Sequence, residues 1–176
     1  MYLTGGHISR GRDGTLETRP DLHLSNLHHL QMKSTLQTFF LAMVLNPEVM
    51  KKAQEELDRV IGKDRLQDFS DKDDLPYIDA IVKELLRWCP PAPICVPNKV
   101  TQDDAYRGYF IPRGATVIQN VWAIFRDPTI YADPDAFNPD RFMKGGKIDP
   151  LVLNPEDRVF GTGRRSVIDN HSSRSS

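Results

Sequence analysis

The sequence predicts a mainly α-helical fold with a small β-sheet, an α+β arrangement, in a chain of 176 residues. Between residues 34 and 88, apolar side chains recur at the three-to-four-residue spacing of helices that bury one face. Between residues 94 and 122, short runs of β-branched and aromatic residues alternate with turn residues, which predicts short strands. Many of the 13 prolines fall in residues 90–97 and 128–155, so much of the second half should be turns and coil.

Composition places the chain among ordinary soluble domains. A hydrophobic content of 39% and a formal net charge of −1 do not indicate a nucleic acid or an anionic membrane as partner. The two cysteines, Cys89 and Cys95, are too few for a disulfide framework or a cysteine-rich metal site, and we expect half-buried thiols in a reducing compartment. No apolar run approaches the roughly 20 residues that cross a bilayer, and the N-terminus has no signal-peptide pattern. We therefore expect no membrane anchor in the chain as written.

Residues 1–33 show neither the helical nor the strand period, so we expect this segment to be poorly ordered. It contains His23, His28 and His29. His28 and His29 are adjacent and would point to different faces of a regular element, which disfavours a metal site.

Two helices are predicted from Ser34 onward. The first carries apolar residues at helical spacing, namely Leu36, Phe39, Phe40, Met43 and Val44. Asn46 and Pro47 interrupt it, and Pro47 suits the first position of a second helix that runs to about Ile61, before Gly62.

A polar loop, residues 63–73, leads to a third predicted helix that ends at about Trp88. Asp74 is the expected cap, Pro76 lies in the first turn, and an apolar stripe follows at Ile78, Ile81, Val82 and Leu85. Glu84 and Arg87 share a face of this helix. They form either a surface ion pair worth about 0.2 to 0.5 kcal/mol or, because Leu85, Leu86 and Trp88 flank them, a partly buried pair that needs a third charged partner.

Three strands and a coil are predicted after this helix. The strands are residues 94–100, 105–111 and 115–122, with Pro112, Arg113 and Gly114 as the tight turn between the last two. The following segment, residues 126–142, is interrupted repeatedly by proline, and we call it the proline-rich coil.

Near the C-terminus the chain reads Phe-Gly-Thr-Gly-Arg-Arg-Ser-Val over residues 160–167. Gly161 and Gly163 allow a close backbone approach to a flat or anionic group, the arginines can hold a carboxylate or phosphate, and Phe160 offers an aromatic face. Alone, the pattern is also typical of an ordinary basic turn. A nucleotide site is disfavoured because no strand–loop–helix context surrounds the glycines.

Three motifs now stand in one order: Lys-Glu-Leu-Leu-Arg at residues 83–87, Phe-Asn-Pro-Asp-Arg-Phe at 137–142, and Phe-Gly-Thr-Gly-Arg-Arg at 160–165. Together they closely resemble the C-terminal portion of a cytochrome P450, a haem-thiolate monooxygenase, of the fungal microsomal type. The resemblance covers residues 34–165 and implies a partial cytochrome P450 fold.

The resemblance implies roles for individual residues. Glu84, Arg87 and Arg141 would form a buried charge triad that holds the region behind the haem in place, and a pair that loses one buried partner costs about 3 to 5 kcal/mol. Phe160 would pack against the porphyrin edge, Gly161 and Gly163 would pass beneath it, and Arg165 would bind a haem propionate. The implied cofactor is haem b. The implied partners are an NADPH-dependent reductase and a small apolar substrate, with family members of this type usually anchored in the endoplasmic reticulum membrane.

The sequence departs from the family pattern on both sides. The axial cysteine position holds Val167, which has no lone pair for iron, and a family glycine position holds Asp169. The positions of the oxygen-activating acid–Thr pair hold Leu30, Gln31 and Met32. The polar tail, residues 166–176, is expected to be disordered. Neither His171 in that tail nor the remote Cys95 is expected to replace the thiolate.

Two functional hypotheses follow. One is a fragment of a haem-dependent monooxygenase that inserts one atom of dioxygen into a small apolar substrate and is inactive as written. The other is a non-catalytic, truncated or mispredicted product with at most a partner-binding role, because helix faces suited to a larger core would be left as apolar patches prone to association.

Overall fold

The computed structural model describes residues 9–10, 16–17, 20–62, 65–95 and 97–159. Its α-helices are α1 (Pro20–Leu45), α2 (Pro47–Val60), α3 (Pro76–Trp88), α4 (Val121–Phe125) and α5 (Glu156–Val159). Two 3₁₀ helices span Phe69–Asp74 and Pro139–Phe142. The strands are β1 (Ser9–Arg10), β2 (Leu16–Glu17), β3 (Asn98–Lys99), β4 (Asp104–Tyr106), β5 (Tyr109–Ile111), β6 (Thr116–Val117), β7 (Met143–Lys144) and β8 (Lys147–Ile148). The prediction of a mainly α fold with a small β component is confirmed.

Helix α1 begins at Pro20, earlier than the start at Ser34 that the apolar spacing predicted. The expectation that residues 1–33 lack regular structure is therefore wrong from Pro20 onward, and also at the two-residue strands β1 and β2. Proline suits the first position of a helix, and no glycine or proline follows it before Pro47 to interrupt the backbone.

The break between α1 and α2 lies where the sequence predicted it. The backbone N–H of Asn46 donates to the carbonyl of Ala42 at 3.0 Å, and its side-chain amide donates to the same carbonyl at 2.8 Å. Pro47 then starts α2 with a backbone that needs no hydrogen-bond partner for its nitrogen.

A first apolar core lies where α1, α2 and α3 meet. Its buried members come from all three helices and from the proline-rich coil: Ala42, Met43, Val49, Ala53, Tyr77, Ile81, Leu85 and Phe137. The predicted apolar stripe of α3 is thus buried at Ile81 and Leu85, whereas Phe40 and Val44 of α1 are exposed.

The start of α3 differs in detail from the prediction. Its cap residue is Leu75 instead of Asp74, and Leu75 makes no side-chain capping bond. The carboxylate of Glu56 on α2 instead accepts hydrogen bonds from the backbone N–H groups of Tyr77 (3.1 and 2.9 Å) and Ile78 (3.0 Å). A side chain from a neighbouring helix therefore caps α3.

The strands pair as four separate two-stranded antiparallel sheets: β1 with β2, β3 with β6, β4 with β5, and β7 with β8. The predicted single strand at 105–111 is a hairpin, because Arg107 and Gly108 take positive φ angles of 49° and 84° and reverse the chain. The predicted strand at 115–122 ends early. Asn120 accepts from the N–H of Ala123 at 3.0 Å and caps α4, which includes Trp122.

A second apolar core lies on the other side of α3, between that helix, α4 and the proline-rich coil. Its buried members are Ala80, Val121, Phe125, Tyr131 and Phe142. Since α3 contributes to both cores, its residues are buried on most of its circumference. The coil that follows α4 packs along α3, and this packing sets up the site below.

Within the described ranges, no helix is both long and apolar enough to cross a bilayer. The residues predicted to contact the cofactor lie outside the described residues, as does the tail at 166–176: Phe160, Gly161, Gly163, Arg165 and Val167.

Candidate functional site

The centre of the site is the pair Glu84 and Arg87 on α3. Both side chains are fully buried, with relative exposures of 0%. Arg87 Nε donates to Glu84 Oε2 at 2.7 Å, and Arg87 Nη2 donates to Oε1 at 2.8 Å, so the ion pair is bidentate. The surface-pair interpretation is therefore wrong, and a pair in this position requires further partners.

Those partners come from the proline-rich coil. Arg141 Nε lies 3.2 Å from Glu84 Oε1, and the backbone N–H of Asn138 donates to the same oxygen at 2.8 Å. One carboxylate thus accepts hydrogen bonds from two arginines and one backbone amide. The structure brings together Glu84, Arg87 and Arg141, the three residues that the family resemblance grouped.

Backbone carbonyls surround the remaining donors of Arg87. Its Nη1 donates to the carbonyls of Phe125 (3.1 Å) and Pro134 (2.7 Å), and its Nη2 donates to Ala136 (3.1 Å). The ring of Tyr131 faces the guanidinium, with the central carbon 5.5 Å from the ring centroid. Every nitrogen of this buried cation is therefore hydrogen-bonded.

Arg141 binds the coil in the same way. Its Nη1 donates to the carbonyl of Ala132, and its Nη2 donates to Asp133 at 3.0 Å and Ala136 at 3.3 Å. Asp133 takes a positive φ of 48°, which is uncommon outside glycine and turns its carbonyl within reach of Arg141. The two arginines share the carbonyl of Ala136, and together they fix the path of the coil.

This arrangement suits a structural role better than a catalytic one. A general acid or base must reach the proton that it transfers, and the Glu84 carboxylate is buried with its oxygens committed to three donor residues. Two cations share one anion, and the backbone carbonyl dipoles compensate the remaining positive charge. The cluster therefore fixes the position of α3 relative to the proline-rich coil.

A second cluster, which the sequence did not predict, centres on Arg126 and lies at the C-terminal end of α3. Arg126 Nη2 donates to the carbonyl of Trp88, the last residue of α3, at 2.9 Å, and Arg126 also forms an ion pair with Asp135. Trp88 Nε1 donates to the carbonyl of Asp135 at 2.9 Å, and Arg126 stacks on Trp122 at 5.4 Å. The contacts of Trp88 with Arg126 and Asp135 have no local sequence signal, because they join residues 38 and 47 apart in the chain.

The segment that leads to Phe160 is attached to the same body. The hydroxyl of Tyr131 donates to the carbonyl of Leu153 at 2.7 Å, and the thiol of Cys95 lies 3.5 Å from the carbonyl of Arg158. Burial raises the pKa of Tyr131 to about 12 and also raises the pKa of Cys95, so both groups stay protonated at neutral pH. Both contacts hold the segment before Phe160 against the second apolar core.

A cleft of about 220 Å³ lies between α3 and residues 148–154. Lys83 lies in its wall and pairs with Asp79 at 3.3 Å and with Glu156 of α5 at 3.6 Å. The charges of the cleft are thus mostly paired internally, and we assign it no ligand.

Within the described ranges, no group of three or more His, Cys, Asp or Glu side chains could hold a metal ion. The candidate cofactor loop lies outside those ranges, so its residues are judged by their chemistry alone. Val167 carries only hydrocarbon and can donate no electron pair to iron.

Comparison with known proteins gives one consistent result. The sequence model of the family Cytochrome P450 matches residues 32–166. A cytochrome P450 monooxygenase of Coprinopsis cinerea is 52% identical over 132 residues, which are 75% of this chain and 25% of that protein. One of Armillaria gallica is 54% identical over 134 residues, 76% of this chain and 26% of that protein.

A solved structure agrees with these sequence matches. A zebrafish cytochrome P450, determined with progesterone, superposes with a TM-score of 0.65 and 34% identity over 75% of this chain and 29% of that chain. The chain spans about a quarter of the length of the two fungal relatives, at 25% and 26%.

Proposed function

The chain belongs to the cytochrome P450 family, and we propose that it forms the frame behind the haem of a haem-dependent monooxygenase, with Glu84, Arg87 and Arg141 as the triad that holds this frame. One observation carries the proposal: the buried Glu84 carboxylate joins an arginine of α3 to an arginine of the proline-rich coil. A contact that ties helix to coil is what a rigid support for a large cofactor requires.

The cofactor loop belongs to the same proposal. Phe160 would pack on the porphyrin edge, Gly161 and Gly163 would bring the backbone close to it, and Arg165 would bind a propionate. The attachment of α5 through Lys83 and Glu156 supports this, because it fixes the chain just before the loop begins.

Family membership implies a haem b cofactor, an electron-donating reductase and a small organic substrate. In the family, haem with a cysteine thiolate ligand activates dioxygen and inserts one of its atoms into the substrate. We propose an NADPH-dependent reductase and a small apolar substrate for the whole enzyme of which this chain represents a part.

The residues present do not fit a thiolate-ligated haem. The axial position holds Val167. The thiol of Cys95 faces the Arg158 carbonyl at 3.5 Å, and the sulfur of Cys89, at the end of α3, accepts from the Thr38 hydroxyl at 3.7 Å. We therefore propose that the chain as written is inactive. A non-catalytic, partner-binding product is the second candidate, favoured by the exposed apolar residues of α1.

A spectrum tests the proposal. Purified chain is mixed with haem, reduced and exposed to carbon monoxide, and we expect no red-shifted Soret band of the thiolate type. Val167→Cys alone should not restore monooxygenation, because Leu30, Gln31 and Met32 replace the acid–Thr pair. A thiolate-type band in the unmodified chain, or hydroxylation of any substrate by it, would show that the proposed inactivity is wrong.

A further inference from the structure

We propose that Tyr131 is a positioning residue that couples the buried triad of Glu84, Arg87 and Arg141 to residues 153–159, which we call the loop-entry segment. The inference rests on the proposed function, because it concerns how the frame behind the haem is connected to the chain that leads into the cofactor loop. Tyr131 belongs to the proline-rich coil and is only 2% exposed. Its ring contacts the triad, and its hydroxyl contacts the loop-entry segment.

Three neighbours fix the ring of Tyr131. The guanidinium of Arg87 faces it at 5.5 Å, and the rings of Phe125 and Phe142 pack against it edge to face, with centroids 6.1 and 6.2 Å away. Both phenylalanines are themselves tied to the triad. The carbonyl of Phe125 accepts a hydrogen bond from Arg87 at 3.1 Å, and Phe142 directly follows Arg141 in the chain. The position of the ring therefore depends on the position of the triad.

The hydroxyl of Tyr131 provides the connection to the loop-entry segment. It donates to the carbonyl of Leu153 at 2.7 Å, across 22 residues of chain. A phenylalanine would fill the same space with the same ring, and a buried hydroxyl costs free energy unless it is hydrogen-bonded. The hydroxyl therefore adds a connection that packing does not require. Because one side chain contacts both bodies, a displacement of the triad can reach the loop-entry segment through it.

Two weaker polar contacts also reach the loop-entry segment. The ion pair between Lys83 and Glu156 is long, at 3.6 Å, and the side chain of Glu156 is 36% exposed, so water and salt screen it. The thiol of Cys95 lies 3.5 Å from the carbonyl of Arg158, and a thiol is a weak donor. The short, buried hydrogen bond from Tyr131 is therefore the strongest of these three ties.

Amide hydrogen exchange, followed by NMR on the full chain, tests the tie. The reporters are the N–H groups of Arg158 and Val159, which both donate to the carbonyl of Pro155 at 3.0 Å. Tyr131→Phe keeps the ring and removes the hydroxyl. Exchange at both reporters should accelerate about fivefold or more relative to Leu85 in the middle of α3, whose amide follows global opening.

The matched control is Tyr109→Phe. This substitution removes the same hydroxyl group from a side chain that is 75% exposed on β5, and it should leave exchange at the reporters unchanged. Reporters that do not respond to Tyr131→Phe, or that respond equally to Tyr109→Phe, would overturn the proposal.

A second substitution distinguishes coupling from a purely local tie. Arg141→Lys disturbs the triad from the side of the coil, because lysine lacks the planar guanidinium that binds several acceptors at once. With Tyr131 present, it should accelerate exchange at the reporters about threefold or more relative to Leu85. In the Tyr131→Phe background, the additional acceleration should fall below about 1.5-fold, since the connection is already broken.

Equal acceleration by Arg141→Lys in both backgrounds would show that Tyr131 is a local tie only, and the proposal would be wrong. If Arg141→Lys unfolds the chain, Phe142→Leu takes its place in the same comparison, because it removes a ring that packs directly on Tyr131. These measurements need no haem. A failure of this inference is therefore distinguishable from a failure of the proposed function, which the carbon monoxide spectrum tests.

Discussion

The cap that α2 supplies to α3 yields a quantitative prediction. Glu56 accepts three hydrogen bonds at 2.9 to 3.1 Å from the N–H groups of Tyr77 and Ile78, and its side chain is only 10% exposed. These N–H groups belong to the first turn of α3, where the backbone has no helical partner and the helix dipole is positive. Glu56→Ala removes both the acceptor and the negative charge.

The expected cost is about 2 kcal/mol. Loss of a helix cap costs about 0.5 to 2 kcal/mol, and hydrogen bonds to a charged group contribute about 1.5 to 3 kcal/mol. The low exposure of Glu56 favours the upper part of the capping range, because water cannot easily replace the lost oxygens. A small domain has a free energy of unfolding of about 5 to 15 kcal/mol, so this loss is easily measured.

Urea unfolding followed by far-ultraviolet circular dichroism measures the change, with Glu55→Ala as the matched control. Glu55 lies next to Glu56, but its side chain is 65% exposed and its ion pair with Lys51 is long, at 3.8 Å, so its loss should cost less than about 0.5 kcal/mol. Amide hydrogen exchange should accelerate at Tyr77 and Ile78 in the Glu56 variant. Equal effects of the two substitutions would refute the capping argument.

Two further predictions concern pH. Hydrogen bonds from Arg65 and from the backbone of Asp68 hold the pKa of Asp71 at about 2, so the stabilisation it provides is present above its ordinary pKa of 3.8 and is lost as the pH falls through about 2. A carboxyl resonance of Asp71 that titrates near 3.8 by NMR would contradict this. Burial raises the pKa of Tyr131 from 10.0 to about 12, so the stabilisation it provides is present below pH 10 and declines as the pH rises through 12. Tyr131→Phe should remove a tyrosinate absorbance that appears only near pH 12, and removal of one that titrates near 10 would disprove the assignment.

Local chemistry explains which parts of the fold the sequence predicted well. Pro47 and Pro76 mark the starts of α2 and α3, because a helix accommodates proline only in its first turn. The effect is local, since it depends on the fixed φ and missing N–H of proline itself. The burial of Glu84 and Arg87 was indicated by the large apolar residues on either side of them. The grouping with Arg141, by contrast, rested on the resemblance, since no spacing rule connects residues this far apart in the chain.

The features that the sequence did not predict depend on contacts between distant residues. The cap from Glu56 joins residues 21 apart, and Arg126 reaches Trp88 across 38 residues. The hairpin at Arg107 and Gly108 did have a local signal, because glycine suits the positive φ that it takes there, but residues 105–111 were predicted as one unbroken strand. The sequence also failed to predict the helix between Pro20 and Ser34, because the apolar residues there show no clear helical period. The local signal was the absence of glycine and proline in this stretch.

The central claim is that the buried triad of Glu84, Arg87 and Arg141 joins α3 to the proline-rich coil. Glu84→Gln should cost about 3 to 5 kcal/mol, because it leaves two buried or nearly buried arginines without their anion. The most direct test is a double-mutant cycle of Glu84→Gln and Arg141→Met by urea unfolding, alongside a cycle on the exposed pair Lys52 and Asp140, whose atoms are closer, at 2.7 Å against 3.2 Å. We expect a coupling energy of about 1 to 3 kcal/mol for the buried pair and less than about 1 kcal/mol for the exposed one. Additive effects at Glu84 and Arg141, or stronger coupling in the exposed pair, would contradict the claim.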